Sequence, residues 1–286
     1  MTPTPTDLGP PTAAQAMVAA THRLRAAGVP DPARDARILL AHAAQIDASR
    51  VTLIAPEALD PVIAERFDHL VSLRAIRIPV SHLIGEREFY GRRFKVSSDV
   101  LDPRPETEIL IEAALSEPFD HVLDLGVGSG CILVTLLCER PDATGIGIDL
   151  SEPACLQASA NAVWHRIADR AEIQNGRWFE GVKGRFDLIV SNPPYISFSE
   201  MEGISEEVRN HEPALALTDG SDGLECYREI APQLPGFLKP GGRVLVEIGP
   251  TQAKAVQTMF QQAGLTQVSV IQDLDGRDRV VSARVA

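Results

Sequence analysis

From Thr12 to Ile84 apolar residues recur at helical spacing, as in Ala16, Val18 and Leu24 and again in Ala36, Ile38, Leu39, Leu40 and Ala43. Asp31 before Pro32 and Asp60 before Pro61 predict helix starts, an acidic cap followed by proline at the first helical position. Residues 12–84 are therefore expected to form a small all-helical domain. Over residues 85–104 the pattern turns extended: Phe89, Tyr90, Phe94 and Val96 surround Gly91-Arg92 and predict a linking β-hairpin. Phe89 and Tyr90 either face a reaction cleft or pack the hairpin. Pro105 with Glu106 and Glu108 behind it reads as an ordinary helix start.

Residues 105–286 alternate between short apolar runs and helical stretches. Strands are expected at 121–125, 145–150, 171–175, 186–192 and 242–249. Such alternation implies a largely parallel, doubly wound α/β sheet. The last two runs, Gln267 to Leu274 and Arg277 to Val285, flank Asp275-Gly276 and predict an antiparallel hairpin. Lys239-Pro240-Gly241-Gly242 reads as a turn into a strand. Residues 1–11, rich in Thr and Pro, have no basic flank or apolar stretch, and are expected to be a disordered tail rather than a secretory signal.

Two junctions carry chemistry. The run His121 to Leu125 enters Gly126-Val127-Gly128-Ser129-Gly130 and then an apolar stretch from Cys131 to Cys138. A strand, a glycine turn and a helix start let backbone approach a ligand while helix N–H groups point at it. Asp149 closes the next strand, about 20 residues on, where a carboxylate can accept from ribose hydroxyls. The spacing G-x-G-x-G, with Cys131 where a dinucleotide fingerprint has glycine, suits a nucleoside cofactor without pyrophosphate, although a dinucleotide or a purely structural turn has the same outline. The second junction is Asn192-Pro193-Pro194-Tyr195, at the end of Phe186 to Ser191. Prolines lack a donor and fix φ, so the strand stops on a stiff loop. An amide side chain, unpaired carbonyls and an aromatic face can hold a planar NH2 group. Such an amino clamp, coupled to the glycine turn in this order, points to S-adenosylmethionine and methylation of nitrogen.

With these motifs in place, the chain resembles the bacterial release-factor glutamine methyltransferases (HemK/PrmC type) within the seven-stranded methyltransferase class. Further matching segments are Gly85 to Gly91, Pro103-Arg104-Pro105-Glu106-Thr107-Glu108, Glu207 to Pro213, Asp222-Gly223-Leu224 and Asp275 to Val281. The match runs from about Asp35 to the C-terminus. It implies a Rossmann-like class I methyltransferase sheet, a helical N-terminal domain that recognises the protein substrate, and S-adenosyl-L-methionine as cofactor. The implied reaction methylates the glutamine amide in the Gly-Gly-Gln loop of a peptide-chain release factor. The expected catalytic residues are Asn192, Pro193, Pro194 and Tyr195. The expected cofactor residues are Gly126, Val127, Gly128, Ser129, Gly130, Asp149 and Asn192, with Trp178 aligned to a family position that lines the adenine pocket, unless it is a core tryptophan. Val127 and Arg177 depart from the family pattern. Backbone does most of the binding at Val127, whereas Arg177 replaces an acceptor for the adenine amino group.

Composition adjusts the partners. Hydrophobic residues make up 44% of the chain, enough for a sizeable core, and no apolar run reaches the ~20 residues of a membrane span. Cys131, Cys138, Cys155 and Cys226 lack metal or disulfide spacing, so a reducing, cytoplasmic setting without a metal site is expected. A net charge of −12 weighs against a nucleic-acid surface and for a basic protein partner, and the protein is expected to be monomeric. Alternative readings are a glutamine methyltransferase of a large-subunit ribosomal protein, a DNA adenine-N6 methyltransferase, and a non-catalytic release-factor-binding module. The adenine reading lacks a target-recognition region. A non-catalytic module need not keep both the glycine turn and Asn192.

Overall fold

The computed structural model describes residues 10–286; the first nine residues of the expected tail lie outside the described residues. The described residues divide into two compact units, one of residues 10–85 with 206–211, the other of residues 86–205 with 212–286.

The first unit packs the helices Ala13–Ala26, Pro32–Ala43 and Pro61–Ala75 around Leu24, Leu39, Leu40, Phe67 and Val71. Its helix starts follow the sequence signals unevenly. The Asp60 carboxylate accepts from the Val62 and Ile63 N–H groups, but Asp31 stands at its helix start without a side-chain cap. Thr12 and Gln15 close the first helix with a reciprocal capping box. Arg74 is buried and reaches Asp35 at 2.8 Å and Glu207 at 3.1 Å, while Arg77 holds the other Glu207 oxygen at 2.6 Å. Glu207 belongs to the helix Glu206–His211, so this ion-pair group fastens a distant stretch of chain into the helical unit.

The second unit opens with β1 (Glu86–Phe89) and β2 (Arg92–Lys95), an antiparallel hairpin. Its turn is Tyr90-Gly91, both left-handed, and the Tyr90 N–H donates to Glu108. Phe89 is fully buried in the core and Tyr90 packs against it. The main sheet holds β3 (His121–Leu125), β4 (Thr144–Asp149), β5 (Ala171–Asn175), β6 (Phe186–Ser191), β7 (Leu238–Glu247), β8 (Thr266–Gln272) and β9 (Asp278–Arg284), in the order β5-β4-β3-β6-β7-β9-β8. Only the pairings of β9 are antiparallel, so the chain's last strand is reversed as expected, and it lies between β7 and the edge strand β8. β7 starts earlier than its predicted residue 242: Leu238 pairs with Phe186 and Arg243 with Leu188, and residues 239–242 bulge out between.

Side chains alternate between two cores. Val122, Leu188, Val190 and Leu245 enter the cluster shared with Phe94 and Leu133. Leu123, Ile189, Val244 and Val246 enter the other, with Tyr227 and Phe260. Among the described residues no helix is long and apolar enough to cross a membrane, and no cluster of His, Cys, Asp and Glu could hold a metal ion.

Asn161, fully buried in the helix Glu152–Trp164, ties the hairpin to the glycine turn. Its Nδ2 donates to the carbonyls of Lys95 at 2.9 Å and Ser129 at 2.8 Å, and its Oδ1 accepts from the Lys95 N–H at 2.9 Å. Asn161→Ala strands these groups and is expected to lower the unfolding free energy by about 3 kcal/mol, read from urea denaturation followed by tryptophan fluorescence.

Candidate active site

Register builds the site. Leu125 stands beside Ser191, and Ser191 beside Val246, so the next residues along three adjacent parallel strands are Gly126, Asn192 and Glu247. All three lie at the carboxyl edge of the sheet, where doubly wound folds open a crevice. A cavity there is lined by Gly126, Val127, Gly128, Ser129, Asp149, Trp178, Asn192 and Pro194, among others. Of the expected site residues, Gly130, Pro193 and Tyr195 are not in its wall.

The glycine turn is held open from below. The N–H groups of Gly126 and Val127 both donate to the Ile148 carbonyl, and the Leu133 N–H of the following helix donates to Asp124. Gly126 and Gly128 have φ of +76° and +52°, and a Cβ on either would meet no atom within 4 Å. Both face the cavity, so the missing side chains leave bare backbone for a ligand. Val127 is buried and joins the core. Gly130, left-handed, begins the helix Cys131–Glu139. The Asp149 carboxylate accepts from the N–H groups of Gly128 and Ser151, both at 2.9 Å. Burial pushes this carboxyl up, against the pull of those backbone donors. It thus fixes the turn and keeps lone pairs for hydroxyl groups. Backbone exposed at two glycines beside a carboxylate suits the amino-acid and ribose parts of a nucleoside cofactor.

At the other end of the cavity, Trp178 Nε1 donates to Glu229 at 2.7 Å. Arg177 grips the same carboxylate through Nε and Nη2, at 2.8 and 2.5 Å. Arg177 is therefore neutralised, and Glu229, from the helix Glu225–Ile230, is an acidic member of the cavity wall that no sequence motif marked.

The Asn-Pro-Pro-Tyr loop is pinned on both sides. Tyr195 O accepts from Gln252 Nε2 at 2.8 Å, and Gly223, with φ +79°, lies so close that a Cβ there would stand 2.4 Å from the same carbonyl. The Tyr195 hydroxyl donates to Glu247 Oε1 at 3.3 Å, which draws the ring toward the sheet and out of the cavity wall. Asn192 Nδ2 donates to Thr107 Oγ1 at 3.2 Å, and Thr107 donates to Glu247 Oε2 at 2.7 Å. Among the described residues nothing donates to Asn192 Oδ1 or to the Pro193 carbonyl. Asn192 Oδ1 thus remains an open acceptor in a residue of the cavity wall, and the Pro193 carbonyl next to it in the chain is likewise unengaged. The sequence assigns no site role to Glu247, nor to Thr107, which lies within the matching segment Pro103 to Glu108. The signal for Glu247 was a lone charge ending the apolar run Val244 to Val246, the same position that singled out Asp149.

Two family models match the chain: the PrmC N-terminal domain over residues 15–85 and the methyltransferase small domain over residues 96–210. The release factor glutamine methyltransferase of Cereibacter sphaeroides is 56% identical over 273 residues, covering 96% of this chain and 98% of that protein. The protein of the same name from Caulobacter vibrioides is 42% identical over 275 residues, covering 94% and 95%. Among solved structures, a methyltransferase from Pyrococcus furiosus aligns with a TM-score of 0.53 at 16% identity, over 68% of this chain and 90% of that one, a likeness of fold alone.

Burial pushes the Glu247 carboxyl up to about 7, opposed by the Thr107 hydrogen bond and by Arg279. Its folded value exceeds its unfolded one, so the proton is held more tightly in the native state. The resulting stability is complete below the ordinary glutamate value and is lost as pH rises through about 7. Glu247→Gln removes this dependence. The variant is expected to gain about 3 kcal/mol relative to the parent between pH 4 and pH 8, measured by denaturant titrations at the two pH values.

Proposed function

The chain belongs to the release factor glutamine methyltransferase family, and from that premise we propose that it methylates the side-chain amide nitrogen of the glutamine in the Gly-Gly-Gln loop of a peptide-chain release factor. It is an S-adenosylmethionine-dependent methyltransferase. The observation that carries the substrate reading is Asn192: its nitrogen is engaged by Thr107 and its side chain lines the same cavity as the glycine turn.

A carboxamide nitrogen is a poor nucleophile because its lone pair is delocalised into the carbonyl. When bound, S-adenosylmethionine supplies an electrophilic methyl carbon and a sulfur leaving group. The two N–H bonds of the substrate donate to Asn192 Oδ1 and to the Pro193 carbonyl. Both contacts strengthen as positive charge grows on nitrogen, so they favour the transition state over the ground state. Pro194 stiffens the loop and closes the cavity on that side. Tyr195 serves the clamp through its hydroxyl, anchoring the loop's end to Glu247. A strong base is not required, since the nitrogen loses its extra proton to solvent after transfer. Gly126, Val127, Gly128 and Ser129 line the backbone cradle for the methionine end, Gly130 sets the helix start behind it, Asp149 accepts from the ribose hydroxyls, and Trp178 borders the adenine. The helical unit recognises the release factor, and the enzyme acts as a cytoplasmic monomer without direct contact to nucleic acid.

Purified protein with labelled S-adenosylmethionine is expected to place one methyl group on the release-factor glutamine, located by peptide mass spectrometry. Label on DNA, or on a ribosomal protein and not on a release factor, refutes the substrate reading. Asn192→Ala should slow transfer about 10²–10³-fold while leaving cofactor affinity nearly unchanged by calorimetry. Asp149→Ala should instead weaken cofactor binding, about tenfold or more, through loss of both the ribose acceptor and the support of Gly128.

A further inference from the structure

Glu247 is 1% exposed, and its two oxygens are met by two hydroxyl groups from different segments. Thr107, in the turn Pro105–Thr107, donates to Oε2 at 2.7 Å, and Tyr195 donates to Oε1 at 3.3 Å. No cation pairs with this carboxylate among the described residues. Arg279, on the neighbouring strand, is engaged by Asp273 at 3.0 Å. The other titratable groups facing Glu247 are Glu106 on the turn, Cys131 on the helix after the glycine loop, and Tyr227, whose hydroxyl donates to the Glu247 backbone carbonyl.

An ionised carboxylate is acceptor-only, whereas a hydroxyl has one proton to give. With that proton committed to Glu247, Thr107 can meet Asn192 only as an acceptor. The Asn192 amide nitrogen must then face Thr107, and its oxygen is left for the cavity. If Glu247 carries a proton on Oε2, it becomes the donor to Thr107, and the freed Thr107 proton can seek the Asn192 oxygen. The carboxamide then turns end for end and presents NH2 to a substrate NH2, two donors face to face. Burial places the balance between these states near neutrality, with Glu247 pushed up to about 7.

We propose that Glu247 and Thr107 are positioning residues of the methyl-transfer reaction: the carboxylate orients the threonine hydroxyl, which holds Asn192 with its oxygen toward the acceptor nitrogen. The chain of bonds is Glu247–Thr107–Asn192–substrate, and only its last link touches the reacting group. This rests on the amide-clamp reading of Asn192 and deepens it, adding a pH dependence that the clamp alone does not have.

The test compares full-length E247Q, T107V, T107S and N192A, each with labelled S-adenosylmethionine at saturation and a purified release factor. E247Q offers an amide donor where the carboxylate had none. It should lower kcat at pH 8 about 10²-fold, with cofactor affinity within about twofold. T107V should fall equally, and T107S should recover activity to within about threefold of the parent. Parent kcat should rise with pH through a midpoint near 7, and this limb should vanish in E247Q. Parent-like kcat and an unchanged acid limb in E247Q, with N192A inactive, overturn the positioning role and leave the clamp standing. Parent-like kcat in N192A overturns the clamp and the positioning role together. Should E247Q fold poorly, T107V and T107S read the chain from its middle, and equal turnover in those two overturns the proposal.

Discussion

The alignment of three parallel strands governs this molecule. β3, β6 and β7 stand so that Leu125, Ser191 and Val246 are abreast, which sets Gly126, Asn192 and Glu247 side by side at the carboxyl edge of the sheet. A slip of one residue in β7 would exchange its two faces, sending Val244 and Val246 out of their core. Apolar burial, worth about 1.5–3 kcal/mol for each such side chain, therefore sets the position of Glu247 relative to Asn192. The geometry of the candidate site is in this sense a by-product of core packing. What the loops add is local: Gln252 and Gly223 at the Tyr195 carbonyl, Asp149 and Ile148 under the glycine turn.

Much of that frame was legible because strand and helix periods are written in the apolar positions. β3, β5 and the antiparallel hairpin of β8 and β9 follow from short apolar runs and an Asp-Gly turn, and the glycine turn and Asn-Pro-Pro-Tyr were visible because their backbone demands admit few residues. Register was not legible. It depends on which runs become neighbours, and Thr107 and Glu247 lie 140 residues apart. Each alone resembles routine chemistry, a helix-start threonine and a charge closing a strand. Their significance exists only once Ser191 sits between Leu125 and Val246. The start of β7 was missed for a related reason, since Pro240 and Gly241 read as a turn while the pairing of Leu238 with Phe186 carries the strand past them.

The cavity's other end was legible in outline only. The sequence offers Trp178 as either an adenine neighbour or a core tryptophan; it lines the cavity, and its left-handed backbone, with φ of +52°, has no sequence signal. A bulky residue in that region costs on the order of 1–3 kcal/mol and persists where its surroundings over-determine it. Here the indole N–H is fixed by Glu229, which also holds Arg177, so one carboxylate locks two consecutive side chains. The unusual arginine thus finds its explanation in a helix 52 residues downstream.

A buried carboxylate with no cation in direct contact, its nearest positive charge being Arg279 on the neighbouring strand, is an expensive element to keep, and its neighbours indicate what the expense secures. Arg279 could neutralise Glu247 but is bound to Asp273, which leaves both Glu247 oxygens to the hydroxyls of Thr107 and Tyr195. Glutamine at the same place would relieve the desolvation cost, and it would introduce two N–H donors into a site where both partners must donate. Aspartate, one methylene shorter, would withdraw from both. The requirement is thus for a group that accepts on two sides at glutamate length. It fixes two features of one loop, the hydroxyl that pins the end of Asn-Pro-Pro-Tyr and the hydroxyl that orients its first residue. Stability given up at Glu247 is converted into a single orientation of the Asn192 amide, and the carboxylate's place at the end of an apolar strand keeps water from competing for those two hydrogen bonds.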